Sequence, residues 1–415
     1  MKFDYDTSLA FLRELMKIDC TEGKATESHP FGENLTRALN LVLDKMRELG
    51  FTTENLDNYC GTATYGEGEL FDVLGHLDTV PAGDGWDFDP FGAVISDGKL
   101  YGRGALDDKG PMIAAVAAAA RLIDEGLKPT KKLRFIFGLN EETGWKCMKH
   151  FEKTHKFAPL GFSPDGDFPV INAEKGMFCY NIDLKKPTNL LSLQSGERAN
   201  IVPAAASATV LSDGVEKEYT AHGKAAHASH PELGESALIK LLLSLDEVPE
   251  LKRIGEIFSA YDGRTAGLNM QDEQSGALTL NLGTAKIIGD VVRFELDIRC
   301  PVTISKDTVS ACLQKIDGFR ASLFYYHEPL YVKPDHPFVS TLLSAYGKVT
   351  GKKAEPIAIG GGTFARLLPL GCAFGPALPG VECPIHQANE CVSLDHYKLM
   401  CDIYYEALKT LCFQV

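Results

Sequence analysis

His76 and Asp78 place an imidazole and a carboxylate two residues apart, in Gly75-His76-Leu77-Asp78-Thr79-Val80-Pro81 at the end of the apolar run Phe71-Asp72-Val73-Leu74. On a strand, residues two apart point to the same face, so the two side chains are expected to emerge together. That spacing suits a metal-ligating imidazole whose outer N–H is held by a carboxylate, which fixes tautomer and ring orientation. A lone His-x-Asp is more often a structural or surface pair, so its meaning depends on its company.

Paired carboxylates follow in the glycine-rich turn Gly102-Arg103-Gly104-Ala105-Leu106-Asp107-Asp108-Lys109-Gly110, which opens a helix of small residues. Capping and the helix dipole account for one acid at such a start, but less naturally for two. A carboxylate held by backbone at the turn can present both oxygens to two metals, so Asp107 is the candidate bridge. Glu141 and Glu142 follow the strand Leu133-Arg134-Phe135-Ile136-Phe137, where an open α/β sheet places its ligand crevice beyond the strand carboxyl ends. Neighbouring side chains diverge at a strand-to-helix turn, so one glutamate can ligate metal while the other faces substrate as general base; Glu142 is taken for metal and Glu141 for proton transfer. Asp165, in Ser163-Pro164-Asp165-Gly166, is a turn residue by type, and its ligand role rests on context.

Gly360-Gly361-Gly362-Thr363 stands before a short helix. The run reads either as a tight turn or, because glycine permits close backbone approach and helix-start N–H groups bind anions, as a candidate cradle for a substrate carboxylate formed by Gly361, Gly362 and Thr363, with Arg366 one turn on. A carboxylate held at a fixed distance from the metals would measure the length of a substrate.

These residues need elements to hold them. Helix signals near Asp6 to Ile18 and Glu33 to Leu49, the strand at Phe71 to Leu74, a helix opening at Pro111 and the strand at Leu133 to Phe137 alternate. The βα alternation predicts an α/β fold whose mostly parallel sheet is flanked by helices. From about Met177 the texture changes: Ala277 to Leu282 and Val291 to Leu296 alternate strictly across Gly289-Asp290, a hairpin signal. With helices at Glu235 to Leu245 and Ser305 to Ile316 they predict an inserted α+β lid domain containing an antiparallel sheet. The expected organisation is a discontinuous catalytic domain of residues 1–182 and 325–415, interrupted by a lid domain of residues 183–324.

At 415 residues the chain exceeds the usual size of a single core. A formal charge of -14, without a basic cluster, argues against nucleic acid or an anionic membrane as partner. The opening MKFDYDTSLAFLRELMKIDC mixes acids with apolar residues at helical spacing and reads as an amphipathic helix, not a signal peptide. The apolar stretch Pro111 to Ala120 is too short to span a bilayer. Eleven cysteines, an odd number without CxxC spacing, suit reduced thiols in a cytoplasmic protein.

The chain resembles the M20 metallopeptidase family, and within it the PepV-like dipeptidases. The resemblance is carried by GHLDTVPAGDGWDFDPF from Gly75, YGRGALDDKGP from Tyr101, NEETG from Asn140, SPDGDFPVINAEKG from Ser163, ERANIVP from Glu197, GKAAHAS from Gly223, LDIRCP from Leu296, IGGGTFAR from Ile359 and IHQANE from Ile385. These segments run collinearly over nearly the whole chain.

The resemblance implies a two-metal site with His76 and Asp165 on one ion, Glu142 and His386 on the other, and Asp107 bridging. Asp78 would orient His76, and Glu141 would be the base. Three carboxylates and a hydroxide balance two divalent cations. The nitrogen and oxygen ligand set suits Zn2+ and admits Mn2+ or Co2+. His227 is implied as oxyanion donor, with Asn200 and Arg299 binding substrate, all in the inserted domain, whose closure would complete the site. The implied activity is that of a dipeptidase. The alternatives are an N-acyl-amino-acid deacylase of the same fold and an inactive peptide- or metal-binding protein, which would have no need of Glu141. Relative to PepV-like dipeptidases the stretch between Asn200 and His227 is short, so both a monomer and a homodimer through the lid stay open.

Overall fold

The computed structural model describes residues 3–413, which fold into two compact units. The first takes in the chain up to Asn172, then Val332–Ile357 and the chain from Thr363 onward; the second takes in Ala173–Tyr331 and Ala358–Gly362. The expected boundary between residues 182 and 183 falls inside one strand, Gly176–Lys185. That strand pairs with Val291–Cys300 on one side and Arg320–His327 on the other, so it belongs wholly to the second unit.

The first unit is built on a sheet whose strands lie in the order Thr52–Leu56, Cys60–Tyr65, Lys132–Gly138, Leu70–His76, Leu160–Ser163, Leu370–Ala373 and Ile171–Glu174. The sheet is mixed: Lys132–Gly138, Leu70–His76, Leu160–Ser163 and Leu370–Ala373 run parallel to their neighbours, and the strands outside them are antiparallel. Helix signals report only that a crossover exists, so βα alternation reveals the parallel centre and not the hairpin-joined edge. Leu70–His76 is buried on both faces after its first residue, as expected of a strand flanked by parallel neighbours. One acid interrupts that apolar run. Asp72 is fully buried and receives both Arg134 Nε and Nη2 at 2.8 Å from its partner in register on the next strand.

Helices Tyr5–Met16, Glu33–Glu48, Lys109–Asp124, Pro337–Thr350 and Leu394–Cys412 cover this sheet. Lys109–Asp124 is buried over most of its length, which explains its run of alanines, small enough to pack on every side. Arg121 ties it to the last helix, with its guanidinium 4.1 Å from the Tyr405 ring centroid and Nη1 3.1 Å from Asp402 Oδ1.

The second unit is a seven-stranded antiparallel sheet ordered Val215–His222, Ala205–Ser212, Leu190–Ser195, Thr279–Ile288, Val291–Cys300, Gly176–Lys185 and Arg320–His327. The hairpin expected at Gly289-Asp290 is present, with Ile288 opposite Val291. Helices Ala237–Ser244, Pro249–Ile257 and Lys306–Leu313 supply Leu238, Leu241, Ile254 and Val309 to a core shared with Phe178, Ile182 and Phe294.

Candidate active site

Three parallel strands lie side by side and end together. His76 is the last residue of its strand and sits opposite Gly138, the last of the neighbouring strand, after which Asn140, Glu141 and Glu142 follow. On the other side Leu160–Ser163 ends just before Asp165. The sheet therefore delivers an imidazole and three acids to the carboxyl edge of its parallel centre, where open α/β sheets bind ligands. Asp107 reaches this edge from the turn before Lys109–Asp124, across a cis peptide to Asp108. His386, with φ of +62°, comes from the loop before the strand Cys391–Ser393.

The donor atoms sort into two groups about Asp107. Oδ1 of Asp107 lies 3.0 Å from His76 Nε2, which is also 3.6 Å from Asp165 Oδ2. Oδ2 of Asp107 lies 2.7 Å from His386 Nε2, which is also 3.1 Å from Glu142 Oε1. One ligating atom from each of His76, Asp107 and Glu142 falls within 4.8 Å of the others.

The chemistry of this set fits divalent cations. Nδ1 of His76 lies 2.9 Å from the carbonyl oxygen of Asp78, which can only accept, so Nδ1 carries the proton. A neutral ring then turns the lone pair of Nε2 toward two carboxylates, and Nε2 is buried without a hydrogen bond. A cation between them satisfies all three groups. Without one, the ring takes a second proton: burial works against it, but Asp107, Asp165 and Asp78 hold the His76 pKa well above its usual range. The same balance raises His386 to about 11, with burial opposed by hydrogen bonds to Asp107 and Glu142. The Asp107 carboxyl, which burial alone would push up, is held below its usual range by both imidazoles.

Asp78 stands just beyond the strand end and not within the strand. The carbonyl of Asp78 orients His76 at 2.9 Å, and its carboxylate Oδ1 lies 3.4 Å from His76 Nδ1. The carboxylate instead accepts the backbone N–H of Glu141 on Oδ1 and of Glu142 on Oδ2, each at 3.0 Å. Oε1 of Glu141 accepts the indole N–H of Trp145 at 3.1 Å. The Trp145 ring packs edge-on against Phe364, with centroids 5.1 Å apart, and Phe364 also stands against the His76 ring at 6.2 Å. Burial pushes the Glu141 carboxyl up; the charge of His76 opposes this, while Asp165, Glu142 and Asp78 reinforce it.

Glycine at position 75 is required by this packing. A Cβ there would lie 2.1 Å from Asp108 Oδ2 and 2.5 Å from Met112 Sδ. Asp108 is fully buried, and its Oδ2 accepts the backbone N–H of His76 at 3.1 Å. Asp108, Trp145, Phe364 and Glu390 escaped assignment from sequence. IHQANE contains Glu390, but nothing in its spacing shows that the side chain folds back onto a turn nearly three hundred positions earlier.

The other candidate residues are described within their own units. Asn200 and His227 sit close together in the second, where Ala228 N–H donates to the Asn200 carbonyl at 2.9 Å. Ser229 N–H donates to His227 Nδ1 at 3.2 Å, which places the ring proton on Nε2 and makes that nitrogen a donor. Gly283, unpaired at a bulge, lets their loop approach, since a Cβ there would lie 2.3 Å from the Ala199 carbonyl oxygen. Arg299 is only 1% exposed. Its guanidinium donates to Asp297 Oδ1 at 2.6 Å, Asp297 Oδ2 at 3.0 Å and the Gly360 carbonyl at 3.0 Å, so within its unit it supports the glycine loop. Gly361 and Gly362 close the second unit; Thr363 and Arg366 belong to the first. The short helix expected after them is a single 3-10 turn, Phe364–Leu367, and the Thr363 hydroxyl already accepts the Ala365 N–H at 3.1 Å. A cavity of about 750 Å³ in the second unit is lined by Gln194, Arg198 and His222 and includes none of the five candidate ligands.

The donor set fits a metal-dependent hydrolase, and the family match makes the chain a peptidase. The chain belongs to peptidase family M20/M25/M40, whose profile matches residues 73–410. It is 36% identical over 444 aligned positions to the Bacillus subtilis protein named "Putative dipeptidase YtjP", with 96% of each chain covered. It is 32% identical over 458 positions to the "Beta-Ala-Xaa dipeptidase" of Lactobacillus delbrueckii subsp. lactis, covering 98% of this chain and 96% of the relative. Both alignments are longer than the 415 residues of this chain, so each relative carries segments that it lacks. The crystal structure of human carnosine dipeptidase 1 shares the fold with a TM-score of 0.60 at 17% identity, covering 98% of this chain and 96% of the other. Among the described residues no helix is long and apolar enough to cross a membrane.

Proposed function

We propose that the chain is a dipeptidase that holds two divalent metal ions, Zn2+ foremost, and uses Glu141 as general base. The observation that carries this reading is the division of Asp107, one carboxylate oxygen facing His76 and the other His386. His76 and Asp165 would hold one ion, Glu142 and His386 the other, with Asp107 between them. When bound, such a pair of ions supplies Lewis acidity that polarises the scissile carbonyl and lowers the pKa of the attacking water.

The chain's own residues do the rest. Glu141, its carboxyl raised by burial and held by the Trp145 indole, takes the proton from water and returns it to the leaving amine. Asp78 keeps Glu141 and Glu142 in step through their backbone N–H groups. His227, with Nε2 as donor, is assigned to the oxyanion, Asn200 to the substrate, and Gly361, Gly362, Thr363 and Arg366 to its carboxylate. Arg299 acts on the substrate through the Gly360 loop that it supports. The names of the two sequence relatives support a dipeptide as substrate. None of the eleven cysteines, all of them among the described residues, is in a disulfide, which supports a cytoplasmic setting.

The test is turnover of a dipeptide panel and of matched N-acetyl amino acids, with and without chelator. Dipeptide hydrolysis abolished by chelator and restored by metal is expected. Turnover of acylated substrates alone would make the chain a deacylase, and activity indifferent to chelator would remove the metals from the reading.

A further inference from the structure

Glu390 is completely buried four residues after His386, and none of the roles above uses it. Its Oε1 accepts three backbone N–H groups of the turn that carries Asp107: Gly104 at 3.1 Å, Leu106 at 2.9 Å and Asp107 itself at 3.3 Å. Its Oε2 accepts Nη1 of Arg103 at 2.8 Å, and its carbonyl accepts the N–H of Gly102 at 2.9 Å. Arg103, 1% exposed, extends the tie by donating Nη2 to the Pro81 and Ala82 carbonyls at 3.2 and 3.1 Å. Strand Cys391–Ser393 pairs with Lys99–Tyr101, which sets Glu390 opposite the start of the turn.

The turn is irregular and buried from Gly102 to Asp108, so its N–H groups have neither a strand partner nor water. A carboxylate accepting several of them fixes the path of the backbone much as an anion does in a nest of amides. The carboxylate belongs to the segment that also bears His386. We infer that Glu390 is the positioning residue that holds Asp107 between His76 and His386, so that one side chain sets the spacing of both halves of the metal site.

This inference rests on the two-metal reading, and the experiment separates them. Metal-free wild-type protein and Glu390→Gln are titrated with Zn2+ by calorimetry, and kcat and KM are measured on a dipeptide. A glutamine cannot satisfy both the N–H cluster and Arg103, because one of them must face its NH2. The expected result is two ions bound by wild type, affinity about 10- to 100-fold weaker in Glu390→Gln, kcat reduced with KM nearly unchanged, and recovery of kcat at saturating Zn2+. Circular dichroism checks that the variant is folded. If it is not, the double variant Arg103→Met, Glu390→Gln, which removes the buried cation, is titrated instead against Arg103→Met, Glu390→Leu, which also removes the accepting oxygen; tighter binding by the first is then expected. Equal ion affinity in wild type and the folded Glu390→Gln variant, or in the two double variants, overturns the role of Glu390 alone. Failure of wild type to bind two ions overturns the reading on which it rests.

Discussion

Asp78 holds Glu141 by its backbone: Oδ1 of the aspartate accepts the glutamate N–H at 3.0 Å, across the boundary between two adjacent parallel strands. The other oxygen does the same for Glu142, so the candidate base and a candidate ligand hang from one carboxylate. Its neighbouring carbonyl meanwhile orients His76.

Substituting Asp78 by asparagine therefore disturbs several functions at once. The amide offers a single acceptor and turns an NH2 toward whichever N–H it does not accept. Asp78→Asn is expected to lower metal affinity about 10- to 100-fold and to lower kcat with it, while far-UV circular dichroism stays unchanged. Calorimetric titration with Zn2+ reads the first effect, and unaltered affinity would show that the backbone holds its course without the carboxylate.

Glu141 and Trp145 should separate chemistry from binding. Glu141→Gln keeps the shape and loses the base, so kcat is expected to fall by about 100- to 10,000-fold with metal content intact. Trp145→Phe removes the indole N–H donated to Glu141 Oε1 while keeping an aromatic ring beside Phe364. Hydrogen bonds to charged groups contribute roughly 1.5–3 kcal/mol, so a loss of about 10- to 100-fold in kcat is expected, with KM steady. A Glu141→Gln enzyme of undiminished rate would dismiss Glu141 as base.

Gly75 offers a test of packing that needs no substrate. A methyl group there would lie 2.1 Å from Asp108 Oδ2 and 2.5 Å from Met112 Sδ, in a region where every neighbour is buried. Overpacking of this kind costs about 1–3 kcal/mol, so Gly75→Ala should unfold at a lower temperature than wild type in the metal-free state. An unchanged midpoint would mean that Asp108 and Met112 can move aside.

Part of the candidate site is legible in the sequence because strand ends announce themselves there: His76, Glu141 and Glu142 follow apolar runs, whereas Asp165 and His386 enter only through the resemblance. What stayed hidden depends on the return of distant chain. The pairing of Cys60–Tyr65 with Lys132–Gly138 is antiparallel and makes the sheet mixed, yet its residues carry the same β-forming types as a parallel strand. Asp78 fits the His-x-Asp spacing, but the strand stops at His76, so period-two geometry no longer governs where its carboxylate points. Arg299 reads by residue type as an arginine at a strand end and gains its substrate role only from the resemblance; the structure adds Asp297 and Gly360 as its partners.

Protonation and metal binding compete for the same two nitrogens. In the metal-free site, carboxylates hold His76 well above its ordinary pKa and His386 at about 11, which favours the protonated form of both rings. A ligating imidazole must be neutral, and each ring therefore surrenders a proton when a cation arrives. The sign follows directly: lowering the pH supplies the competing proton and weakens metal affinity, and raising it strengthens affinity until the rings titrate unaided. Calorimetric titration with Zn2+ at pH 7.5, repeated in buffers of different ionisation enthalpy, should report release of about two protons per site filled with two ions. His386→Ala removes one of the two proton donors and should bring the number down by about one. Binding without proton release would mean that Nε2 of both rings is already unprotonated, and that the carboxylates around them are not charged as the geometry requires.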